Sequence, residues 1–277
     1  MAISYENQQI LITGGSSGIG LALAEAFARR GANLWLMARR LSGLEAARQR
    51  IIRLGLKPGQ RVEIFSGDVS HPQDVTALAA KIRTDGITPN CIINSAGIVY
   101  CGYAQDISIE TFHSLMQVNY HGTVQVCKTF LPEMLERGSG HIVNLSSMAG
   151  YVGVFGYTAY SASKFAVTGF SEALRAELKP HGVRVSVVFP PDTDTPQLAY
   201  ESTLKPPETR ALGENGGLMS AAAVAQSILQ GVERGQFRIF PNAQAAFFYR
   251  ISSVLNEALN AYGDWVVKTT QSKKTDG

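Results

Sequence analysis

The sequence predicts one α/β domain, a doubly wound and mainly parallel sheet of about seven strands. Three observations carry that expectation. A short apolar run, Gln9 to Thr13, breaks into a glycine-rich turn and then into a helical-period stretch. Apolar runs and amphipathic stretches go on alternating until about residue 240, the pattern of repeated strand–helix units. The chain has 277 residues, 45% of them hydrophobic, enough for one large core.

Bulk properties exclude several classes. Lys+Arg minus Asp+Glu is 25 − 22 = +3, too small an excess to make nucleic acid the main partner. Cys91, Cys101 and Cys127 are an odd set without metal-ligand spacing, so reduced thiols in a cytoplasmic protein are expected. Tyr5 to Gln9 is polar and does not read as a secretory leader. No run of eighteen or more apolar residues marks a membrane span.

The first unit is a phosphate cradle. Thr13-Gly14-Gly15-Ser16-Ser17-Gly18-Ile19-Gly20 joins the first strand to a helix over Leu21 to Arg30, which stops at Gly31. Glycines let backbone amides approach a pyrophosphate, and a helix N-terminus favours negative charge. The order strand, glycine turn, helix opens a Rossmann dinucleotide fold. Thr13, Gly14, Ser16, Ser17, Gly18, Ile19 and Gly20 are therefore candidate cofactor contacts. Gly14-Gly15-Ser16-Ser17-Gly18 also fits the Gly-x-Ser-x-Gly elbow of hydrolases. Only one strand precedes Ser16, and the last histidine, His181, sits in a helix-to-strand turn, so that reading is disfavoured.

The second strand, Asn33 to Ala38, ends in Arg39-Arg40. NAD enzymes carry an acid about 20 residues past the turn for the ribose 2′-hydroxyl. Two arginines suit a 2′-phosphate instead, which predicts NADPH/NADP+. A helix over Ser42 to Leu54 and a third strand over Arg61 to Phe65 lead to Asp68 and Val69. Asp68 can bond an adenine amino group while Val69 packs on the ring, or it caps the next helix, which runs to about Arg83. The fourth strand, Asn90 to Asn94, ends in Asn94-Ser95-Ala96-Gly97, small enough for a cofactor to lie close.

Ile109 to Glu136 reads as one long helix with Asn119 inside it. Asparagine competes for backbone bonds, so a buried Asn119 needs partners such as an ordered water. His113 and His121 on this helix read as structural. The fifth strand, Gly140 to Leu145, leads to Ser147 at the strand end, where open α/β sheets bind ligands. A helix over Tyr160 to Lys179 and a sixth strand over Val183 to Phe189 follow. At its start, Tyr160 and Lys164 lie one turn apart on one face. A lysine cation beside a phenol lowers its pKa and makes a tuned acid/base for an alcohol or carbonyl. The spacing alone also occurs on ordinary solvated helices.

Thr13-Gly14-x-x-x-Gly18-x-Gly20, Asn94-x-Ala96-Gly97, Asn119, Ser147 and Tyr160-x-x-x-Lys164 together resemble a short-chain dehydrogenase/reductase over about residues 8 to 240. Ser95 departs from the family's usual second asparagine. The resemblance implies an NADP-dependent oxidoreductase with Ser147, Tyr160, Lys164 and Asn119 as catalytic residues. Tyr160 would protonate the developing alkoxide, Lys164 would hold the nicotinamide ribose and depress the Tyr160 pKa, Ser147 would orient the carbonyl, and Asn119 would anchor a relay water. It also implies cofactor contacts at Asn94, Ala96, Gly97, Tyr160, Lys164, Pro190, Thr193 and Thr195.

After the sixth strand, Pro190-Pro191-Asp192-Thr193-Asp194-Thr195-Pro196 and Lys205-Pro206-Pro207-Glu208-Thr209 resemble the family's subgroup acting on 3-ketodihydrosphingosine. A long-chain keto amino alcohol is the implied substrate, with Ser147 on its carbonyl and Asp192 or Asp194 on its ammonium. Other fatty or steroid-like ketones, or a non-catalytic NADP-binding regulator, are the alternatives. A helix over Ala221 to Arg234 and a strand over Arg238 to Pro241 complete the sheet. Phe247, Phe248, Ile251, Val254, Leu255, Ala258, Leu259, Tyr262, Trp265 and Val266 then recur at helical spacing. That face suits packing, a homo-oligomer contact (dimer or tetramer) or peripheral contact with a membrane. The expected organisation is one domain over 1–268, with a substrate loop at 190–218 and a helical extension at 242–268. A flexible tail over 269–277 follows.

Overall fold

The computed structural model describes residues 4–213, 217–252, 261–266 and 268–270. Seven parallel strands form the main sheet: β1 (Gln9–Thr13), β2 (Asn33–Ala38), β3 (Val62–Ser66), β4 (Cys91–Asn94), β5 (Gly140–Leu145), β6 (Val183–Val188) and a last strand, Arg238–Ile239. Their order is β3-β2-β1-β4-β5-β6 and then the last strand. The chain reverses its winding between β1 and β4, so the crevice above those strand ends is the expected ligand position.

Alternation along the strands explains the two helical layers. Ile10, Ile12, Leu34 and Leu36 face one core, with α1 (Gly18–Ala28) and α2 (Leu41–Ile52) packed on it. Leu11, Trp35, Met37 and Ile92 face the other. That side holds α3 (Pro72–Thr84), α4 (Ile109–Leu115), α5 (Gly122–Arg137) and α6 (Thr158–Leu178). Strands apolar on both faces are what a buried parallel sheet requires.

The expected single helix over Ile109 to Glu136 is broken. A π-helical turn over Met116–His121 separates α4 from α5, and the Gly122 amide bonds back to the Gln117 carbonyl. Asn119 sits inside that turn. Its Oδ1 accepts from the Ile98 amide at 2.8 Å and its Nδ2 donates to the Ile98 carbonyl at 3.0 Å. The side chain thus pairs with a backbone peptide as a strand would, and the helix widens to let it.

Beyond β6, the loop forms β7 (Thr193–Asp194), α7 (Pro196–Leu204) and α8 (Pro207–Gly213). β8 (Met219–Ser220) pairs parallel with β7. Helix α9 (Ala221–Glu233) packs on the α1 side, β9 is the Arg238–Ile239 strand, and α10 (Ala243–Ser252) follows. Val254, Leu255, Ala258 and Leu259 lie outside the described residues. Residues 268–270 are helical, two of them in the stretch expected as tail. No helix among the described residues is long and apolar enough to cross a membrane.

Candidate active site

A cavity of about 1250 Å³ opens above the strand ends. Ligand pockets of ordinary size hold roughly 300–1,000 Å³, so this one has room for more than one small molecule. One wall is the glycine turn, where Gly14, Ser16, Ser17, Gly18, Ile19 and Gly20 all line it. Gly14 has φ +69°, and a Cβ there would stand 2.9 Å from the Ala96 backbone. Ser17 caps α1 with extended backbone and no side-chain bond, and the first turn carries no acid. The helix therefore offers amides and its positive end to an anion from the cavity.

Two expected cofactor contacts are turned away from the cavity. Thr13 is buried, and its Oγ1 accepts from the Ser95 and Ala96 amides at 3.2 and 3.1 Å. Asn94 is buried too, donating to Asn144 Oδ1 at 2.8 Å and Cys127 Sγ at 3.3 Å. Both fix the two turns that frame the cradle. Neither lines the cavity, whereas Ser95, Ala96 and Gly97 do.

At the cradle's outer edge, Arg39 and Arg40 are exposed and line the cavity beside Asp68 and Val69. Burial pushes the Asp68 carboxyl up, but the Ser70 amide and hydroxyl, at 2.9 and 2.7 Å, and the Arg39 charge outweigh it, leaving Asp68 below its ordinary value. A dinucleotide fits this wall: an uncapped helix end for the pyrophosphate and a basic edge for further phosphate.

Ser147, Tyr160 and Lys164 converge on the cavity from two elements. Ser147 caps a 3₁₀ turn, Met148–Gly150, its Oγ accepting from the Ala149 amide at 3.2 Å. Tyr160 and Lys164 stand on α6, with the ammonium 5.7 Å from the phenol ring centroid. Lys164 is buried and donates to the Leu145 carbonyl at 3.0 Å. Burial pushes its pKa from 10.5 down to about 8.

The expected lowering of the Tyr160 pKa does not hold in the ligand-free protein. Desolvation raises it well above 10, Glu201 and Asp192 add to the rise, and only the hydrogen bond with Ser147 opposes it. Stripping water from a phenolate outweighs an ammonium that is itself buried. Tyr160 is thus held as a neutral phenol. Asn119 does not line the cavity, and its Nδ2 also donates to Ser163 Oγ at 2.9 Å. It approaches Lys164 through Gly97, where a Cβ would meet Asn119 Oδ1 at 3.2 Å and Lys164 Nζ at 3.6 Å.

Pro190, Asp192, Thr193 and Thr195 line the cavity past the reactive residues. Asp194 does not: in β7 its neighbour Thr193 turns inward and Asp194 outward, as alternation along a strand requires. Asp192 bonds Lys205 at 3.3 Å. Glu201, on α7, is buried, pairs with Lys205 at 3.0 Å and accepts from the Tyr157 hydroxyl. Glu201 and Lys205 were not foreseen, although their i,i+4 spacing is visible in the sequence. His181, which the hydrolase reading needs, lies in a 3₁₀ turn before β6, at the opposite end of the sheet.

Known proteins share this arrangement. A family model described as short chain dehydrogenase matches residues 8–204. The 3-ketodihydrosphingosine reductase of Bos taurus is 39% identical over 236 residues, covering 85% of this chain and 71% of that protein. A short-chain dehydrogenase from Sphingobium yanoikuyae in complex with NADPH aligns at TM-score 0.77 and 29% identity, over 92% of this chain and 95% of that one. A short chain dehydrogenase/reductase from Burkholderia phymatum in complex with NAD aligns at TM-score 0.80 and 25% identity, over 93% and 96%. With its sheet order, glycine turn and Ser147–Tyr160–Lys164 convergence, the chain belongs to the short-chain dehydrogenase/reductase family of oxidoreductases.

Proposed function

We propose that this protein reduces 3-ketodihydrosphingosine to dihydrosphingosine with NADPH. One observation carries the reaction: Ser147, Tyr160 and Lys164 converge on the same cavity as the glycine turn, where a phenol can give a proton to a carbonyl being reduced. The likeness to the bovine reductase supports the substrate. The relatives bind either nucleotide, so the NADPH preference rests on Arg39 and Arg40 at the cavity edge.

When bound, the reduced nicotinamide supplies hydride to the carbonyl carbon. The protein does the rest. Gly14 and Gly18 to Gly20, with the α1 N-terminus, hold the phosphates. Ser147 donates a hydrogen bond to the carbonyl oxygen and stabilises charge developing there. Tyr160 transfers its proton to that oxygen. Lys164, poised near pH 8, restores the proton to Tyr160 and holds the ribose. Asn119, fixed by the Ile98 peptide and facing Lys164 across Gly97, would anchor the relay water. Of Asp192 and Asp194, Asp192 is the carboxylate offered to the substrate ammonium, since it lines the cavity.

Apolar side chains such as Val154, Phe155, Leu212 and Phe248 give the alkyl chain its slot, and they suit another hydrophobic ketone equally. Exposed Tyr200, Phe247, Tyr262 and Trp265 support peripheral contact with the lipid surface that holds such a ketone. Exposed Ile109, Leu135 and Phe165 on α4 to α6 support a homo-oligomer. The test is NADPH consumption with 3-ketodihydrosphingosine beside short diketones and steroids. Turnover of the short diketones alone refutes the substrate. Arg39→Asp should shift preference toward NADH, and a wild type that already prefers NADH refutes the cofactor assignment.

A further inference from the structure

Lys164 is tied to the end of β5 by two bonds that run in opposite directions. Its Nζ donates to the Leu145 carbonyl at 3.0 Å. The next residue answers it: Ser146 Oγ donates to the Lys164 backbone carbonyl, also at 3.0 Å. Ser146 is buried at 4% exposure, and its amide extends the β5–β6 ladder by donating to the Val188 carbonyl at 2.9 Å. The hydroxyl therefore projects from a fixed backbone. A hydrogen bond between two rigid elements sets their spacing as well as adding stability.

Hydroxyls on α6 itself behave differently. Ser163, Thr168 and Ser171 donate to the carbonyls of Tyr160, Lys164 and Val167, three or four residues back along the same helix. Serine and threonine do this in many helices, and such bonds tie nothing to another element. Ser146 reaches α6 from outside, eighteen residues away in sequence. Thr168 Oγ1 lies 3.0 Å from both the Lys164 carbonyl and Ser146 Oγ, so three contacts share two hydroxyl protons. The carbonyl keeps a donor in Thr168 if Ser146 is lost. Satisfying that carbonyl does not require Ser146; linking the helix to the strand end does. Gly150 leaves room for the link. A Cβ there would overlap Ser146 Oγ and stand 2.9 Å from the Lys164 carbonyl oxygen, so the 3₁₀ turn after Ser147 passes the bond as bare backbone.

We infer that Ser146 is a positioning residue for the reduction: its hydroxyl, bonded to the Lys164 backbone, fixes the start of α6 against the end of β5 and so sets the spacing of Tyr160 and Lys164 from Ser147. The inference rests on the reading of those three residues as the reactive set. Ser146 acts through the backbone, and its hydroxyl is spent within the protein.

The test uses the full chain with NADPH and the ketone that the wild type reduces fastest. Ser146→Ala should lower kcat about ten-fold or more, as a small displacement of reacting groups does, with KM and NADPH affinity within about three-fold of wild type. Thr168→Val, which leaves the Ser146 bond to α6 in place, should keep kcat within about three-fold. Gly150→Ala should repeat the Ser146→Ala loss, and the double variant should be no slower than either single one, because both act on one bond. Hydrogen exchange reads the link without a substrate: residues 158–168 should exchange faster in Ser146→Ala, and 171–178 at the wild-type rate. Unchanged kcat or unchanged exchange in Ser146→Ala overturns the inference. So does a rise in KM alone, which would make Ser146 a substrate contact, or an equal loss in Thr168→Val. Tyr160→Phe separates the two readings. Unaltered kcat there refutes the reactive set, whereas a slow Tyr160→Phe beside a fully active Ser146→Ala refutes the link alone.

Discussion

Replacing Lys164 by methionine should make the ligand-free protein more stable at neutral pH, and by an amount that pH controls. Lys164 is buried, and its pKa falls from 10.5 to about 8 on folding. Between those values the unfolded chain binds more protons than the folded one, so stability rises with pH there. Below pH 8 the full cost of the buried charge is present. That shift corresponds to about 3 kcal/mol. Methionine removes that cost but orphans the Leu145 carbonyl, which accepts from Nζ at 3.0 Å, returning about 1–3 kcal/mol. The net gain at pH 7 is at most about 2 kcal/mol. By pH 10 most of the wild-type penalty is gone, so the difference between the two proteins changes by about 2.5 kcal/mol. Urea unfolding of cofactor-free wild type and Lys164→Met at pH 7 and pH 10 measures it. A variant less stable at pH 7, or a gap that does not move with pH, refutes the reasoning. On the proposed mechanism, NADPH oxidation should be lost at both pH values.

Tyr160→Phe should lower kcat about 10²–10⁴-fold with little change in nucleotide affinity, read by NADPH oxidation beside NADPH fluorescence binding. Asn94→Ala should destabilise by about 1–3 kcal/mol in urea titration, because it strips Asn144 Oδ1 of a buried donor at 2.8 Å. Gly97→Ala should lower kcat more than it weakens nucleotide binding. Its Cβ presses on Asn119 Oδ1 at 3.2 Å and stands 3.6 Å from Lys164 Nζ. Loss of nucleotide binding with unchanged kcat would place Gly97 in the cradle instead.

The strand–helix alternation was legible because a parallel sheet buries both faces of each strand, leaving apolar runs without ambiguity of side. Gly140–Leu145 emerged with its boundaries intact. The π turn was not legible, since one extra residue in a helical ladder leaves the apolar spacing on either side unchanged. Asn119 was its one visible trace, a poor helix residue seeking partners. That Thr13 and Asn94 do not line the cavity was not legible, because a position at a strand end does not tell which way the side chain turns. Asp192 and Asp194 could be separated only by the pairing of β7 with β8, which fixes inward and outward residues. The Glu201–Lys205 spacing reads as a solvated pair until Tyr157 is found covering it. The Tyr160 shift was misread because sequence shows a neighbouring charge but not the water removed from around the phenol.

The Thr195 methyl group lies where a Gly18 Cβ would stand 3.2 Å from it, and the same residue starts α7 with its hydroxyl. One residue thus adjoins the glycine turn and caps the helix that bears Glu201. The two compartments share a wall, so a bulkier side chain at Thr195 would crowd the glycine turn and disturb the start of α7 together.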